Sequence, residues 1–347
     1  MSKFVEIKHV DEQFYSERIR DFLPERIIDI HTHVWLKSMK NRKGTQRGVV
    51  SWPSLVADEN PVEDLLETYK LLLPGKTVVP LVFNSPTRGE DLDPLNRYVT
   101  ESAAQHNLPA LMLSRPEWTG EQFERRLKDG NFLGAKPYLS FAPEGIPPDE
   151  ICILDFIPRH QLEVLNKQKS ILLLHIPRSK RLRDPVNLTQ MRAIEERYPD
   201  IKLIIAHVGR AYCPGDVGDA FRVLAGTRMF FDISANTNET VFCRLIEAVG
   251  PERILFGSDL PITRMRMRRI CENGIYINLV PEGMYGDVSG DRNMREVAGR
   301  EAGKLSFFFY EEISAFLAAS KKAGLTRCET DKVFYSNAAA LVSKADG

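Results

Sequence analysis

The sequence predicts an α/β protein with a (β/α)8 TIM barrel fold and insertions after strands 1 and 8. Two observations support this fold class. Eight short apolar runs, each typical of a strand buried on both faces, alternate along the chain with segments of helical periodicity. Histidine or aspartate residues follow several of these runs, at the strand ends where barrels of this class carry their sites.

Strands and helices are predicted in alternation. The strands cover residues 27–31, 77–83, 108–113, 133–139, 171–175, 201–207, 229–233 and 254–257. The helices between them cover residues 60–73, 91–106, 119–129, 156–168, 187–198, 216–225 and 239–249, and two more follow over about 305–324 and 330–343. A short leading helix over 10–22 has only a weak apolar pattern.

Local signals indicate the helix starts and the insertions. Asn60 and Asn187 are predicted as helix N-caps, with Pro61 at the first position after Asn60. A long polar loop is predicted over 37–59, and an irregular segment over about 260–304. An open doubly wound sheet is the alternative fold, but it requires a glycine-rich phosphate loop after strand 1, where this chain has histidines.

Composition excludes some classes of partner. The chain has 47 basic and 47 acidic side chains, so no net charge attracts nucleic acid or an anionic membrane. It lacks an apolar run long enough to cross a membrane, and its first residues lack the apolar region of a signal peptide. We expect one domain over residues 1–347, with 1–26 as an N-terminal extension. The scattered cysteines predict free thiols in a reducing cytoplasm; they are Cys152, Cys213, Cys243, Cys271 and Cys328.

The first predicted strand ends in His31-Thr32-His33. Because side chains alternate between the two faces of a strand, His31 and His33 point to the same side. Two imidazoles on one face can bind a single metal ion together. A pair of chance histidines in a loop is the alternative.

Three further predicted strands end in potential ligands. Strand 5 ends in His175, strand 6 in His207 and strand 8 in Asp259. Because the carboxyl ends of barrel strands meet at one mouth, these side chains are expected to converge with those of strand 1. Nitrogen and carboxylate ligands suit Zn²⁺, Mn²⁺ or Fe²⁺, with zinc favoured. The lack of cysteine ligands argues against a closed structural zinc site.

Four short motifs and a closing segment form one joint pattern. The motifs are Asp29-x-His31-x-His33, His175, His207-Val208-Gly209 and Phe256-Gly257-Ser258-Asp259-x-Pro261, and the closing segment is Ser336-Asn337-Ala338-Ala339-Ala340-Leu341. This pattern resembles the amidohydrolase superfamily over residues 27–341. It is most similar to the branch that contains aminocarboxymuconate-semialdehyde decarboxylase, resorcylate-type decarboxylases and various lactonases.

The resemblance implies a metal site made by His31, His33 and His175, with Asp259 as the carboxylate ligand. It also implies that Asp259 takes a proton from a water molecule that the metal activates. In the single-metal branch, the histidine at the position of His207 is an acid or base that hydrogen-bonds the water or the substrate.

Lys136, in the predicted fourth strand, leaves the number of ions open. Binuclear members of the superfamily carry a carboxylated lysine at the end of strand 4 that bridges two ions, and His175 and His207 would then hold the second. The alternative is a lysine that binds substrate or makes an ion pair. We favour one ion, because the remaining motifs resemble the single-metal branch.

Arginine residues follow several predicted strand ends, which suggests an anionic substrate. Arg178 and Arg210 are candidates, since arginine pairs with a carboxylate through two hydrogen bonds, and a solvated rim is the alternative. Trp35 and Tyr138 are candidates for an apolar or stacking wall, with ordinary packing as the alternative for Trp35. The basic run over 264–269 is expected to be solvated or salt-bridged rather than an RNA site.

The prediction is a cytoplasmic, metal-dependent hydrolase that acts on an ester, lactone or amide bond of a small carboxylated substrate. Non-oxidative decarboxylation of an aromatic or muconate-type acid is the second choice, and a degenerate barrel that only binds ligands is the third. Members of the superfamily are often dimers, so a homodimer is a candidate assembly, although nothing in the sequence locates an interface.

Overall fold

Eight parallel strands form the centre of the molecule, in a computed structural model that describes residues 5–40 and 53–343. The strands are β1 Arg26–His33, β2 Thr77–Phe83, β3 Met112–Ser114, β4 Gly134–Pro137, β5 Ile171–Leu174, β6 Lys202–Ile205, β7 Phe230–Asp232 and β8 Ile254–Leu255. Most of their side chains are buried, as expected for strands covered on both faces.

Hydrogen bonds close these strands into a barrel. Neighbouring strands pair in order from β3 to β8, and β1 pairs with β2. Val82 forms a bridge with Ala110 just before β3, and Thr32 forms one with Leu260 just beyond β8. We call the second junction, between β1 and the segment after β8, the closing seam. At the closing seam, the amides of Ile30, Asp259 and His33 donate to the oxygens of Phe256, His31 and Leu260 at 3.0, 2.9 and 2.8 Å. The predicted barrel is confirmed.

Helices surround the barrel. They are α1 His9–Arg18, α2 Pro53–Val56, α3 Val62–Leu72, α4 Leu92–His106, α5 Gly120–Asp129, α6 Arg159–Lys167, α7 Pro185–Arg197, α8 Ala220–Leu224, α9 Glu239–Val249, α10 Gly299–Ala302, α11 Phe308–Lys322, α12 Arg327–Asp331 and α13 Asn337–Val342. A π-helical turn, Lys332–Ser336, joins the last two. Within the described ranges, none of the helices has the length and apolar character needed to cross a bilayer.

Two predicted helix caps are wrong. Asn60 does not cap α3, because its side-chain amide donates to the backbone oxygen of His33 at 2.6 Å. Asn187 does not cap α7, because that helix begins two residues earlier and Asp184 caps it. Asn60 is therefore a support for the segment that carries the β1 histidines.

The insertion after β8 contains regular structure, so the expectation of an irregular segment over 260–304 is wrong in part. β9 Arg268–Glu272 and β10 Ile275–Pro281 form an antiparallel hairpin, and β11 Met294–Val297 pairs in parallel with β10. The two turn residues, Asn273 and Gly274, have φ of 51° and 77°. Two-residue hairpin turns require such positive angles, so the Asn-Gly pair is the sequence signal for this hairpin.

The insertion after β1 lies partly outside the described residues. The loop predicted over 37–59 includes residues 41–52, which are not described. In the described part, Lys37–Met39 form a 3₁₀ turn, and Trp35 and Asn60 form a β-bridge.

Arg266 joins the N-terminal extension to the insertion after β8. Its guanidinium donates to both carboxylate oxygens of Asp11 in α1, at 2.9 and 2.6 Å, and to the oxygen of Leu305 at 2.7 Å. The Ser306 hydroxyl donates to the same carboxylate at 2.6 Å. Both charged groups are buried, so removing one partner would cost about 3–5 kcal/mol. The basic run over 264–269 is thus salt-bridged at its centre.

Cys213 and Cys271 form a disulfide that links the loop after β6 to β9. Their Cα atoms lie 5.9 Å apart, although 58 positions separate them in sequence. The expectation that all cysteines are free is therefore wrong, because the two segments approach each other only in the folded chain. Cys152, Cys243 and Cys328 are free thiols.

Thiol labelling tests this disulfide. Alkylation of the denatured protein without reductant should modify Cys152, Cys243 and Cys328, and reduction should add Cys213 and Cys271, as read by peptide mass spectrometry. In Cys271→Ser, we expect Cys213 to be labelled without reduction. We also expect a stability loss of about 2–4 kcal/mol, because the unfolded chain loses a constraint. Labelling of Cys213 in the unreduced natural chain would contradict the disulfide.

Candidate metal centre

Polar side chains from six strands or strand ends converge at the carboxyl end of the barrel. They are His31 and His33 of β1, Lys136 of β4, His175 after β5, His207 after β6, Asp232 of β7 and Asp259 after β8. The cluster is largely shielded from solvent: the side chains of His31, His33 and Asp259 are 1%, 10% and 15% exposed.

His31, His207 and Asp259 form the tightest group. One possible ligand atom of each lies within 4.8 Å of the others, and no other such group occurs in residues 5–40 and 53–343. The ring centroids of His31 and His207 are 4.6 Å apart, and His31 Nε2 is 3.6 Å from Asp259 Oδ1. Two imidazoles and a carboxylate are a donor set that suits a divalent transition metal.

His33 and His175 flank this group. His33 Nε2 lies 2.9 Å from Asp259 Oδ1. The ring of His175 lies 5.3 Å from that of His207, and its buried Nδ1 has no hydrogen-bond partner among the described residues. A buried nitrogen left unpaired costs about 1–3 kcal/mol of folding free energy. A ligand or ion bound to this nitrogen would remove that cost. The residues present therefore fit a metal centre.

Hydrogen bonds behind the rings set the tautomers of two histidines. Asp232 Oδ2 lies 2.9 Å from His31 Nδ1, and the backbone oxygen of Ser234 lies 3.1 Å from His207 Nδ1. These acceptors hold a proton on each Nδ1 and leave each Nε2 with a free lone pair, which is the form that binds a metal ion.

Burial keeps the imidazoles neutral. It lowers the pKa of His207 to about 4, and it is also the main cause of a lowered pKa at His31, His33 and His175. Near neutral pH these rings carry no proton that a metal ion would have to displace.

Asp232 is the candidate that sequence reasoning missed. Its Oδ2 contacts His31, and its Oδ1 accepts from the amides of His207 and Ser234 at 2.8 and 3.1 Å. Burial acts to raise the pKa of this carboxyl, but His31, His207 and the hydrogen bond from Ser234 together outweigh burial and hold the pKa well below its usual range. Its place at the end of predicted strand 7, where other strands carry ligands, was the available signal.

Asp29, which belongs to the sequence pattern but had no assigned role, supports the closing seam. Its carboxylate accepts from the amides of His31 and Ser258 at 3.1 and 2.9 Å and from the hydroxyl of Tyr69 at 2.7 Å. Gly257 allows the seam to close, since a Cβ there would lie 2.8 Å from the Cβ of His31. β1 is thereby joined to the segment that carries Asp259.

The segment His207–Arg210 forms a left-handed turn. Its four φ angles are 56°, 49°, 60° and 61°, and only one of the four residues is a glycine. A left-handed conformation costs a non-glycine residue about 1–2 kcal/mol, so surrounding contacts must hold the turn. Arg210 Nη1 does so by donating to the carbonyls of Ile176, Pro177 and Arg178 at 3.3, 3.0 and 3.4 Å.

The two arginines predicted to bind substrate are engaged within the chain. Arg210 makes the carbonyl contacts just described. Arg178 Nε lies 3.1 Å from Asp184 Oδ1, on the carboxylate that caps α7. Both side chains hold the loop after β5, which carries His175.

The two aromatic candidates lie in different surroundings. Trp35 is 6% exposed, and its indole N–H donates to the oxygen of Asp58 at 3.2 Å, as in ordinary packing. Tyr138 lies at the cluster, with its hydroxyl 3.3 Å from His33 Nδ1 and 3.2 Å from the oxygen of Asn84. Tyr138 therefore orients His33.

Lys136 lies among the histidines and is 2% exposed. Its ammonium is 5.6 Å from the ring centres of both Phe83 and Tyr138. Burial lowers its pKa to about 8, while Asp232 and Asp259 act in the opposite direction.

Comparisons with known proteins agree with this fold. The sequence profile of the amidohydrolase family matches residues 28–343. No curated protein sequence matches the chain.

Several solved structures share the fold at low sequence identity. The 5-carboxyvanillate decarboxylase of Sphingomonas paucimobilis is 12% identical, with a TM-score of 0.54 over 92% of this chain and 99% of that one. A dihydroxybenzoic acid decarboxylase of Polaromonas, solved with bound manganese, is 13% identical, with a TM-score of 0.52 over 92% and 97%. A protein of Pseudomonas putida, provisionally assigned as a 2-pyrone-4,6-dicarboxylic acid hydrolase, is 16% identical, with a TM-score of 0.54 over 92% and 98%.

Replacing Asp232 tests the support of the cluster. Asp232→Asn should weaken Zn²⁺ binding by about 10- to 100-fold, because a neutral amide holds the proton on His31 Nδ1 less well. Competition with a chelating dye measures this affinity. Asp216→Asn is the control, since it changes a buried carboxylate in the loop after β6, outside the cluster. Equal affinities of the two variants would contradict the role of Asp232.

Proposed function

Because this chain belongs to the amidohydrolase family, we propose that it is a metal-dependent hydrolase that cleaves an ester, lactone or amide bond of a small carboxylated substrate. One observation carries the proposal: His31, His207 and Asp259 offer ligand atoms within 4.8 Å of one another at the mouth of the barrel. In a barrel enzyme this end is where substrates are bound and converted.

The proposed metal ligands are His31, His33, His175 and Asp259. His207 lies close enough to take a ligand position as well. We propose one divalent ion, with zinc as the first choice, and the manganese named for a neighbour of the same fold keeps that ion as an alternative. Such an ion supplies Lewis acidity, which polarises a carbonyl oxygen and lowers the pKa of water.

Asp259 is the proposed base. Burial acts to raise the pKa of its carboxyl, but the hydrogen bond from His33 and the surrounding histidines outweigh burial and hold the pKa low, so the group is ionised. In the proposed reaction, a carboxylate oxygen of Asp259 accepts a proton from the attacking water. The carbonyl carbon gains the hydroxyl group, the bond to the leaving group breaks, and the leaving group takes the proton that Asp259 held.

His207 is the proposed partner of Asp259. Its Nδ1 proton is held by the backbone oxygen of Ser234, so its Nε2 can accept a hydrogen bond from the water or the substrate. The left-handed turn that begins at His207 keeps the ring fixed relative to Asp232, which binds the His207 amide at 2.8 Å.

Decarboxylation of an aromatic or muconate-type acid is the second candidate. The buried ring of Phe83 and the partly buried ring of Tyr138, beside the histidines, favour it, because an aromatic acid can pack against such rings. Two of the structural neighbours described above are named as decarboxylases. In that reaction the bond between the ring carbon and the carboxylate carbon breaks, and carbon dioxide leaves while the ring carbon keeps the electron pair. A protein acid, Asp259 or His207, first takes up a proton from solvent and then delivers it to the ring carbon.

The products distinguish the two reactions. We expect mass spectrometry of products from a panel of esters, lactones, amides and aromatic acids to show the gain of one water per bond cleaved. Loss of carbon dioxide without gain of water would contradict hydrolysis in favour of decarboxylation. Metal-loaded protein that converts no compound of either class would contradict both reactions and favour the third hypothesis, a barrel that only binds ligands.

Asp259→Asn tests the proposed base. It should lower kcat by about 10²- to 10⁴-fold, because the amide cannot accept the proton of the water. Thermal denaturation should show nearly unchanged stability, since the side chain lies at the mouth of the barrel rather than in its packed layers. Asp216→Asn, in the loop after β6, is a control that leaves the cluster intact. Unchanged kcat in Asp259→Asn would refute its role.

A further inference from the structure

We propose that Lys136 keeps its ammonium group uncarboxylated and binds the carboxylate group of the substrate. The proposal rests on the proposed function, because it concerns the substrate of that same site. It follows from an unusual combination: a buried cation lies at the centre of the donor cluster, and no acceptor group of the described chain lies within hydrogen-bonding distance of it.

The position of Lys136 in β4 directs its side chain into the barrel. The preceding residue, Ala135, packs in the core between the strands and the helices. Because successive side chains of a strand point to opposite faces, Lys136 points to the interior. It is 2% exposed, so the hydrophobic stem is buried together with the charge.

The ammonium of Lys136 lacks polar partners. Its contacts are with the aromatic faces of Phe83 and Tyr138, both at 5.6 Å, and no hydrogen bond or ion pair is found for it within residues 5–40 and 53–343. An ammonium has three donors, and a buried charge without an acceptor is unfavourable. A ligand that brings an anionic oxygen would remove this penalty.

Lys136 lies beside the proposed metal ligands. The ring of Phe83, which its ammonium faces at 5.6 Å, lies 5.2 Å from the ring of His31 and 4.6 Å from the ring of His33, measured between ring centres. Asp232 and Asp259 interact with the ammonium of Lys136, yet neither makes an ion pair with it. An anion bound beside Lys136 would therefore also lie beside the proposed metal ligands, where the reacting bond has to be.

A carboxylated lysine fits these surroundings less well. The carbamate would place a negative charge against two aromatic faces, which attract cations and repel anions. It would also add to the negative charge of Asp232 and Asp259. The uncarboxylated ammonium instead acts as a second positive charge, which removes the need for a second ion.

The two arginines predicted to bind substrate already have partners within the described part of the chain. Arg210 is engaged with three backbone oxygens, and Arg178 with Asp184. An ammonium is a compact point charge that suits a carboxylate oxygen approaching from the barrel mouth. Lys136 is thus the cation in the cluster with open donors.

The experiment compares charged and neutral probes of the same shape. Calorimetric titration of the metal-loaded protein with benzoate and benzamide, and with succinate and succinamide, should show tighter binding of the carboxylates by about 10- to 100-fold. Lys136→Met keeps the length and the apolar stem, and it should lose this preference. Lys202→Met is the matched control, because its ammonium donates to the Leu341 oxygen at 3.0 Å, at the opposite end of the barrel.

Two measurements on the natural chain remain decisive if Lys136→Met does not fold. Plasma mass spectrometry should find one metal ion per chain, and ¹³C NMR after incubation with ¹³C-bicarbonate should show no carbamate resonance. A carbamate signal, two ions per chain, or equal affinity for carboxylates and amides would overturn the proposal. So would an unchanged preference in a folded Lys136→Met.

None of these readouts requires turnover, so the two proposals can fail separately. Loss of carboxylate preference in Lys136→Met supports the role of Lys136 in binding the substrate carboxylate, even if the enzyme turns out to decarboxylate its substrate. If the protein binds no metal, the proposed function fails, and the same titrations of the metal-free protein still decide the role of Lys136.

Discussion

The closing seam of the barrel is the constraint on which the site depends. β1 carries His31 and His33, and the segment after β8 carries Asp259, more than two hundred positions later in the chain. Backbone hydrogen bonds between these segments bring the two groups together, and the buried carboxylate of Asp29 binds amides on both sides of the seam. Because this contact is made of backbone and a buried side chain, the geometry of the donors is set by the packed barrel rather than by flexible loops.

The site concentrates strained backbone and buried polar groups that packing alone would disfavour. His207, Ala235 and Asp259, which follow three successive strands, all have positive φ, at 56°, 49° and 60°. The insertion after β8 and α11 support the middle one: Arg269 donates to the Ala235 oxygen at 2.5 Å, and the Ala235 amide donates to Glu312 at 2.6 Å. Strained backbone of this kind persists only where surrounding contacts hold it in place, and it is typical of functional sites.

Electrostatics gives the cluster its chemical character. Neutral histidines, two low-pKa carboxylates and one buried lysine share a volume from which water is largely excluded, and there each charge acts strongly on its neighbours. Asp232 fixes the tautomer of His31, and Tyr138 orients His33. The arrangement leaves nitrogen lone pairs and the donors of Lys136 available to a metal ion and an anionic substrate.

The sequence by itself determined the barrel and its histidine pattern. The spacing of apolar residues and the alternation of side chains along a strand are local properties, so they can be read directly from the sequence. It predicted the convergence of His31, His207 and Asp259, and the family to which the chain belongs. Only the tertiary structure decided which side chains meet. Asp232 contacts His31, Asn60 donates to the His33 carbonyl, and a disulfide joins the loop after β6 to the insertion after β8. The tertiary structure also decided the partners of the candidate arginines: Arg210 binds backbone carbonyls, and Arg178 pairs with Asp184. Most of these contacts join residues that are distant in sequence, and a side chain's partner depends on three-dimensional packing that no local pattern encodes.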